Sequence, residues 1–111
     1  MNQELIIAIF KKHGVKYEKD FYAKSEEEQR KLIDETWDVM YGDDVIVQLM
    51  SMNNNMSLLD LQQEILHILT NRMEYYEMTE DYFICELMKR LKRITPRKIN
   101  QINKDYHANS N

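Results

Sequence analysis

The chain has 111 residues, 43% of them hydrophobic and 31% charged, a size that supports one core and excludes two independent ones. With two glycines and one proline it is too poor in turn residues for a hairpin-rich sandwich or barrel, and its apolar content excludes a disordered chain. The formal net charge is −4, yet residues 1–88 hold 8 basic against 18 acidic side chains and residues 89–111 hold 7 against 1, so an acidic body carries a basic end.

In chain order, Leu5, Ile6, Ile9 and Phe10 share a helical stripe closed by Lys11, Lys12, His13 and Gly14, which predicts a helix over 2–13. Residues 15–24 keep no helical period and read as a connector held by Val15, Tyr17, Phe21 and Tyr22. Ser25 to Glu28 has the spacing of a capping box and opens a helix whose stripe is Leu32, Ile33, Thr36, Trp37 and Met40, with Gly42 as its stop. Asp43 and Asp44 would then cap residues 45–52. The β-branched start of that segment makes a strand the competitor, but no partner strand exists, so helix is the expectation.

Asn53, Asn54 and Asn55 break the pattern, and Ser57 with Asp60 opens the strongest amphipathic segment, lined by Leu58, Leu61, Ile65, Leu66, Leu69 and Met73. Thr79–Asp81 caps another helix, with Phe83, Ile84, Leu87, Met88 and Leu91 inside. Thr95 followed by Pro96 reads as the start of a last short helix with Ile99, Ile102 and Tyr106 buried. The fold class is therefore all-α: a single bundle of five or six helices over residues 1–106, with 107–111 as a frayed tail.

The lone Cys85 excludes an internal disulfide framework and a multi-cysteine zinc site, and the run from Leu5 to Phe10 is too short for a leader or a membrane span. A cytoplasmic protein without a membrane partner is expected. Residues with AT-rich codons (Phe, Tyr, Met, Ile, Asn, Lys) total 48 against 11 for Gly, Ala, Arg and Pro, as in a low-GC bacterium or its phages and plasmids. Glu64 and His67 stand three apart as in dimetal bundles, but once rather than twice, and belong more economically to a solvated stripe with Asp60, Gln63 and Asn71. No metal, no cofactor and no catalytic residue is assigned. Cys85 lies beside a core stripe, and Gly14 and Gly42 are isolated stops rather than a phosphate-cradling loop.

The charge asymmetry is the main functional signal. Lys89, Arg90, Lys92, Arg93, Thr95, Arg97, Lys98, Gln101 and Lys104 form a candidate contact for a nucleic acid or an acidic protein. The competing reading is that these bases neutralise the acidic helix at 26–38 within the same molecule. Residues 86–91, a turn at 92–94 and residues 95–106 have a helix-turn-helix rhythm, in which Arg97, Lys98, Asn100 and Gln101 would face bases. Glu26, Glu27, Asp34 and Asp38, together with Met73, Tyr75, Tyr76 and Met78, are candidate protein-interface residues, in a chain whose methionines include Met50, Met52 and Met56. The expectation is a small non-enzymatic regulator or adaptor, of the kind a mobile element carries, that docks a helical surface onto a protein. The alternative is a DNA-binding regulator using residues 95–106. Exposed Met and Tyr also suit a homodimer.

Overall fold

A computed structural model describes residues 3–51 and 57–109, and every regular element in them is helical. The helices are α1 (Gln3–Lys12), α2 (Glu18–Tyr22), α3 (Glu26–Trp37), α4 (Asp43–Met50), α5 (Leu58–Met78) and α6 (Tyr82–Asn109). A π-helical turn at Asp38–Gly42 joins α3 to α4 without a break, so the described residues form five continuous rods of an all-α bundle. Residue 52 and the Asn53–Asn55 break lie outside the described residues.

Local chemistry sets several ends. At the end of α1 the amide of Val15 donates to Phe10 O at 2.8 Å and that of Gly14 to Lys11 O at 3.0 Å, with Gly14 at φ +77°. This is the Schellman closure, and Val15 and Phe10 make its buried apolar contact. The same pair of bonds closes α5, from Asp81 to Tyr76 O and from Glu80 to Glu77 O, but there the left-handed residue is Glu80 at φ +61°. Thr79 therefore serves α5 rather than capping the next helix, its hydroxyl donating to Tyr76 O at 3.3 Å. Ser57 and Asp60 make a complete capping box. At Ser25 half of one forms. Its Oγ accepts from the Glu28 amide at 3.2 Å, while the Glu28 carboxylate takes the Ser25 hydroxyl at 3.1 Å.

Two expected helix boundaries, a stop at Gly42 and a start at Thr95–Pro96, do not form. Gly42 has helical angles, φ −58° and ψ −43°, and the chain runs through it into α4. The reason is the buried stripe Ile33, Trp37, Tyr41, Val45 and Leu49, which repeats every four residues. In an α-helix each such step overshoots a full turn by about 40°, and a wider π turn takes up part of that drift. Asp43 and Asp44 are consequently interior to a rod and cap nothing.

Pro96 likewise sits inside α6, so the separate helix at 95–106 and the helix-turn-helix rhythm are not formed. A proline in a helix interior costs about 3 kcal/mol through its missing amide and its ring. Here Ile84, Leu87, Met88, Leu91, Thr95 and Ile99 are buried in a single phase that runs across it, while Pro96 itself faces out. That shared stripe holds the helix together, and α6 continues to Asn109, past the expected boundary at 106.

The connector at 15–24 contains the short α2, anchored by Phe21, which is fully buried and stacks on Phe10 with centroids 5.8 Å apart. Tyr17 is exposed, whereas Tyr22, also partly exposed, packs its ring edge-on against Phe21 and Phe83 with centroids 5.3 and 5.9 Å away. The Asp20 carboxylate accepts from the amides of Tyr17 at 2.9 Å and Lys16 at 3.0 Å, and these bonds hold its carboxyl below the usual value. The most extensive packing is between the antiparallel α5 and α6, and α3 lies along another side of α6. No described helix is long and apolar enough to cross a membrane.

Candidate interaction surfaces

The contact between α3 and α6 reorganises most of the charged candidates. Gln29 Oε1 accepts from Arg90 Nη1 at 2.9 Å, Asp34 Oδ1 from Arg97 Nη2 at 2.8 Å, and Asp38 Oδ1 pairs with Lys98 Nζ at 2.7 Å. Residue numbers rise together on both helices, so the two run parallel with an acidic stripe against a basic one. Lys98 also lies over the Trp37 ring, 5.8 Å from its centroid, and Arg90 over Phe21 at 5.2 Å. The bases at 90, 97 and 98 thus answer groups of the same molecule, and Asp34 and Asp38 are engaged by them. Glu26 and Glu27 stay exposed, Glu27 beside Lys31 at 3.5 Å.

Thr95 is a correction of another kind. It is fully buried, its hydroxyl accepts from Trp37 Nε1 at 3.0 Å and donates to Leu91 O at 2.8 Å, and so it is unavailable to a phosphate. Gln101 donates to Asp105 at 2.9 Å on the outer face. Lys89, Lys92, Arg93 and Lys104 make no ion pair among the described residues.

Of the four aromatic and methionine candidates, Tyr76 is buried and Met73 packs against the core, whereas Tyr75 and Met78 are exposed at the hairpin end near Tyr82. Exposed Glu74, Glu77 and Glu80 interrupt that patch. A second apolar exposure is more continuous. Val45 and Leu49 of α4 enter the core, while Ile46, Val47 and Met50 are 43%, 60% and 70% exposed, and exposed Val39 lies two turns before Ile46, beyond Asp43. Between Val45 and Met50 only Gln48 is polar, and Asp43 and Asp44 border the face. A helix apolar on every side is ordinarily covered on every side. Apart from Met50, the sequence reading did not single out these residues, because the expected stop at Gly42 hid their phase relative to α3.

His13 has a partner that sequence could not show. Its Nε2 meets Glu35 Oε2, and Lys12 Nζ reaches the other oxygen at 3.1 Å. The Lys12 bond first, then His13, holds the Glu35 carboxyl below its ordinary value. Cys85 is half-buried, its Sγ directed to Met73 O at 3.5 Å. His67 is exposed beside Asn71, and among the described residues no three His, Cys, Asp or Glu gather closely enough to hold a metal ion.

Two of the cavities lie against α6. One of about 340 Å³ lies between α1, the connector and the start of α6, walled by Ile6, Phe10, Phe83 and Leu87, with Lys11, Lys16, Glu18 and Asp81 at its polar edge. The other, about 180 Å³, lies between α3 and α6 and is lined by Arg30, Arg90, Arg93 and Arg97 with Ile33, Ile94 and Asp34. Arg30 was not among the basic candidates, because only the parallel packing of α3 on α6 brings it to them. Comparison with known proteins returns no match by family model, by curated sequence or by solved structure.

Proposed function

We propose that this chain is a small non-enzymatic binding protein, a regulator or adaptor that docks its helical surface onto a partner protein. The observation that carries the reading is the outer face of α4, where Ile46, Val47 and Met50 stand exposed on a helix already apolar toward the core. Water-facing apolar side chains at helical spacing gain free energy when covered, about 25 cal/mol per Å² buried. The carboxylates of Asp43 and Asp44 border the face and make no ion pair among the described residues, so the complementary surface is apolar with a basic rim.

A photo-crosslinking residue at Val47, used in the native cell, identifies the partner, and binding of that purified protein is then measured directly. Val47→Glu and Met50→Glu, both on exposed positions, are expected to weaken it at least tenfold while leaving thermal unfolding unchanged. Retained affinity in both variants overturns the reading. So does a loss caused by Tyr75→Glu alone, which moves the contact to the hairpin end, or light scattering that finds a dimer which Val47→Glu dissociates.

A further inference from the structure

Four of the chain's five arginines, and none of its ten lysines, line the cavity between α3 and α6. Arg90, Arg93 and Arg97 follow one another at three and four residues, on one face of α6, and Arg30 comes from α3. The two helices are cross-linked on either side of it, by Arg90 to Gln29 and by Arg97 to Asp34. Arg30 and Arg93 fall in register between those cross-links, and neither has an ion pair or hydrogen bond among the described residues. Asp34 is the one carboxylate in the lining and Arg97 answers it, while Arg90 is shared with Glu86 at 3.4 Å. Two positive charges are left uncompensated beside the apolar side chains of Ile33 and Ile94.

In a protein of net charge −4, like charges gathered at one place repel each other, and Arg30 and Arg93, unlike Arg90 and Arg97, make no link that offsets this. Guanidinium is the side chain whose planar fork matches a tetrahedral oxyanion, and two unpaired forks match the charge of a doubly ionised phosphate. The ligand is compact: one turn before Arg30, the outer surface of α3 bears Glu26 and Glu27, which oppose an extended polyanion. We propose that this cavity binds a phosphomonoester, with the dianion between Arg30 and Arg93 and its organic stem against Ile33 and Ile94. The site is distinct from the outer face of α4, so Val47→Glu and Met50→Glu leave it intact.

Calorimetric titration of the full chain at constant ionic strength, with inorganic phosphate and with phenyl phosphate, tests this. Saturable one-site binding is expected, tighter for phenyl phosphate, and weaker as pH falls below about 6, where the dianion takes up a proton. Arg30→Gln and Arg93→Gln each remove a charge-assisted hydrogen bond from an exposed position and lower affinity about tenfold. Lys104→Gln removes the same charge outside the cavity and changes nothing. Adenosine monophosphate and a phosphoserine peptide distinguish a nucleotide from a phosphorylated side chain as the source, either one supporting the site. The proposal fails if no saturable binding is seen, if Lys104→Gln lowers affinity as much as the cavity variants, or if a glutamate-rich peptide binds as well as the phosphoserine peptide. It also fails if random duplex DNA binds while phenyl phosphate does not.

Discussion

Helix α6 meets its two main neighbours in chemically different ways. Toward α5 the contact is apolar: Leu61, Ile65 and Leu69 share one buried cluster with Leu87, Met88 and Leu91. Toward α3 it is a ladder of polar links, from Gln29–Arg90 through Asp34–Arg97 and Trp37–Thr95 to Asp38–Lys98. Apolar area is non-directional and supplies free energy wherever it is covered. Hydrogen bonds and ion pairs contribute little net energy but are lost when the register slips. The first contact therefore sets how stable the bundle is, and the second sets where α3 lies on α6, and with it whether Arg30 reaches Arg93.

The largest effect is expected on the apolar side. Leu91→Ala, at a fully buried position, should cost about 2–5 kcal/mol in urea unfolding. Thr95→Val keeps the volume but leaves the Trp37 indole N–H buried without an acceptor, at a cost of about 1–3 kcal/mol, and Thr95→Ser should restore most of it. If Val is as stable as Thr, the polar link does not orient α3. Tyr41 is the contrasting case one turn beyond Trp37. Its hydroxyl is the buried side-chain polar atom that finds no partner among the described residues, and burial raises the phenol's pKa. Tyr41→Phe removes an unmet group and is expected to raise stability by about 1 kcal/mol, read as a higher urea midpoint at unchanged slope.

What could be read from the sequence divides along the same line between local and long-range. Ser25, Ser57 and Gly14 mark helix ends through bonds to residues within a turn or so, and the structure shows all three at helix ends. Gly42 and Pro96 carry the same local meaning, yet both lie inside helices, because apolar stripes on either side of them are in phase. That phase was itself legible: Leu91, Thr95 and Ile99 are spaced by four across the proline, as are Trp37, Tyr41 and Val45 leading past the glycine. The links Trp37–Thr95, Arg90–Gln29 and His13–Glu35 join residues 58, 61 and 22 positions apart, and no local pattern announces them. The basic end was visible as composition. Its division into paired Arg97 and Lys98, buried Thr95 and unpaired Arg93 depends on which helix lies alongside.

The smallest expected effect lies at the other end of α3, where α1 is tied to it through exposed charges. Lys12, and then His13, lower the Glu35 pKa in the folded chain, whereas in the unfolded chain it returns to its ordinary value near 4.5. A group whose pKa is lowered by folding stabilises in full above its unfolded pKa and loses that contribution as pH falls through the folded one. Unfolding free energy should therefore fall below about pH 4.5 more steeply in the native chain than in Glu35→Gln. At pH 7 and moderate salt the variant should lose less than about 1 kcal/mol, as for other surface pairs. A variant that keeps the native slope below pH 4.5 would show that α1 is held by Ile6, Ile9 and Phe10 alone. That is the apolar mode of α5 against α6, and it would leave the polar ladder as a property of the α3–α6 contact, where Thr95 puts it inside the core.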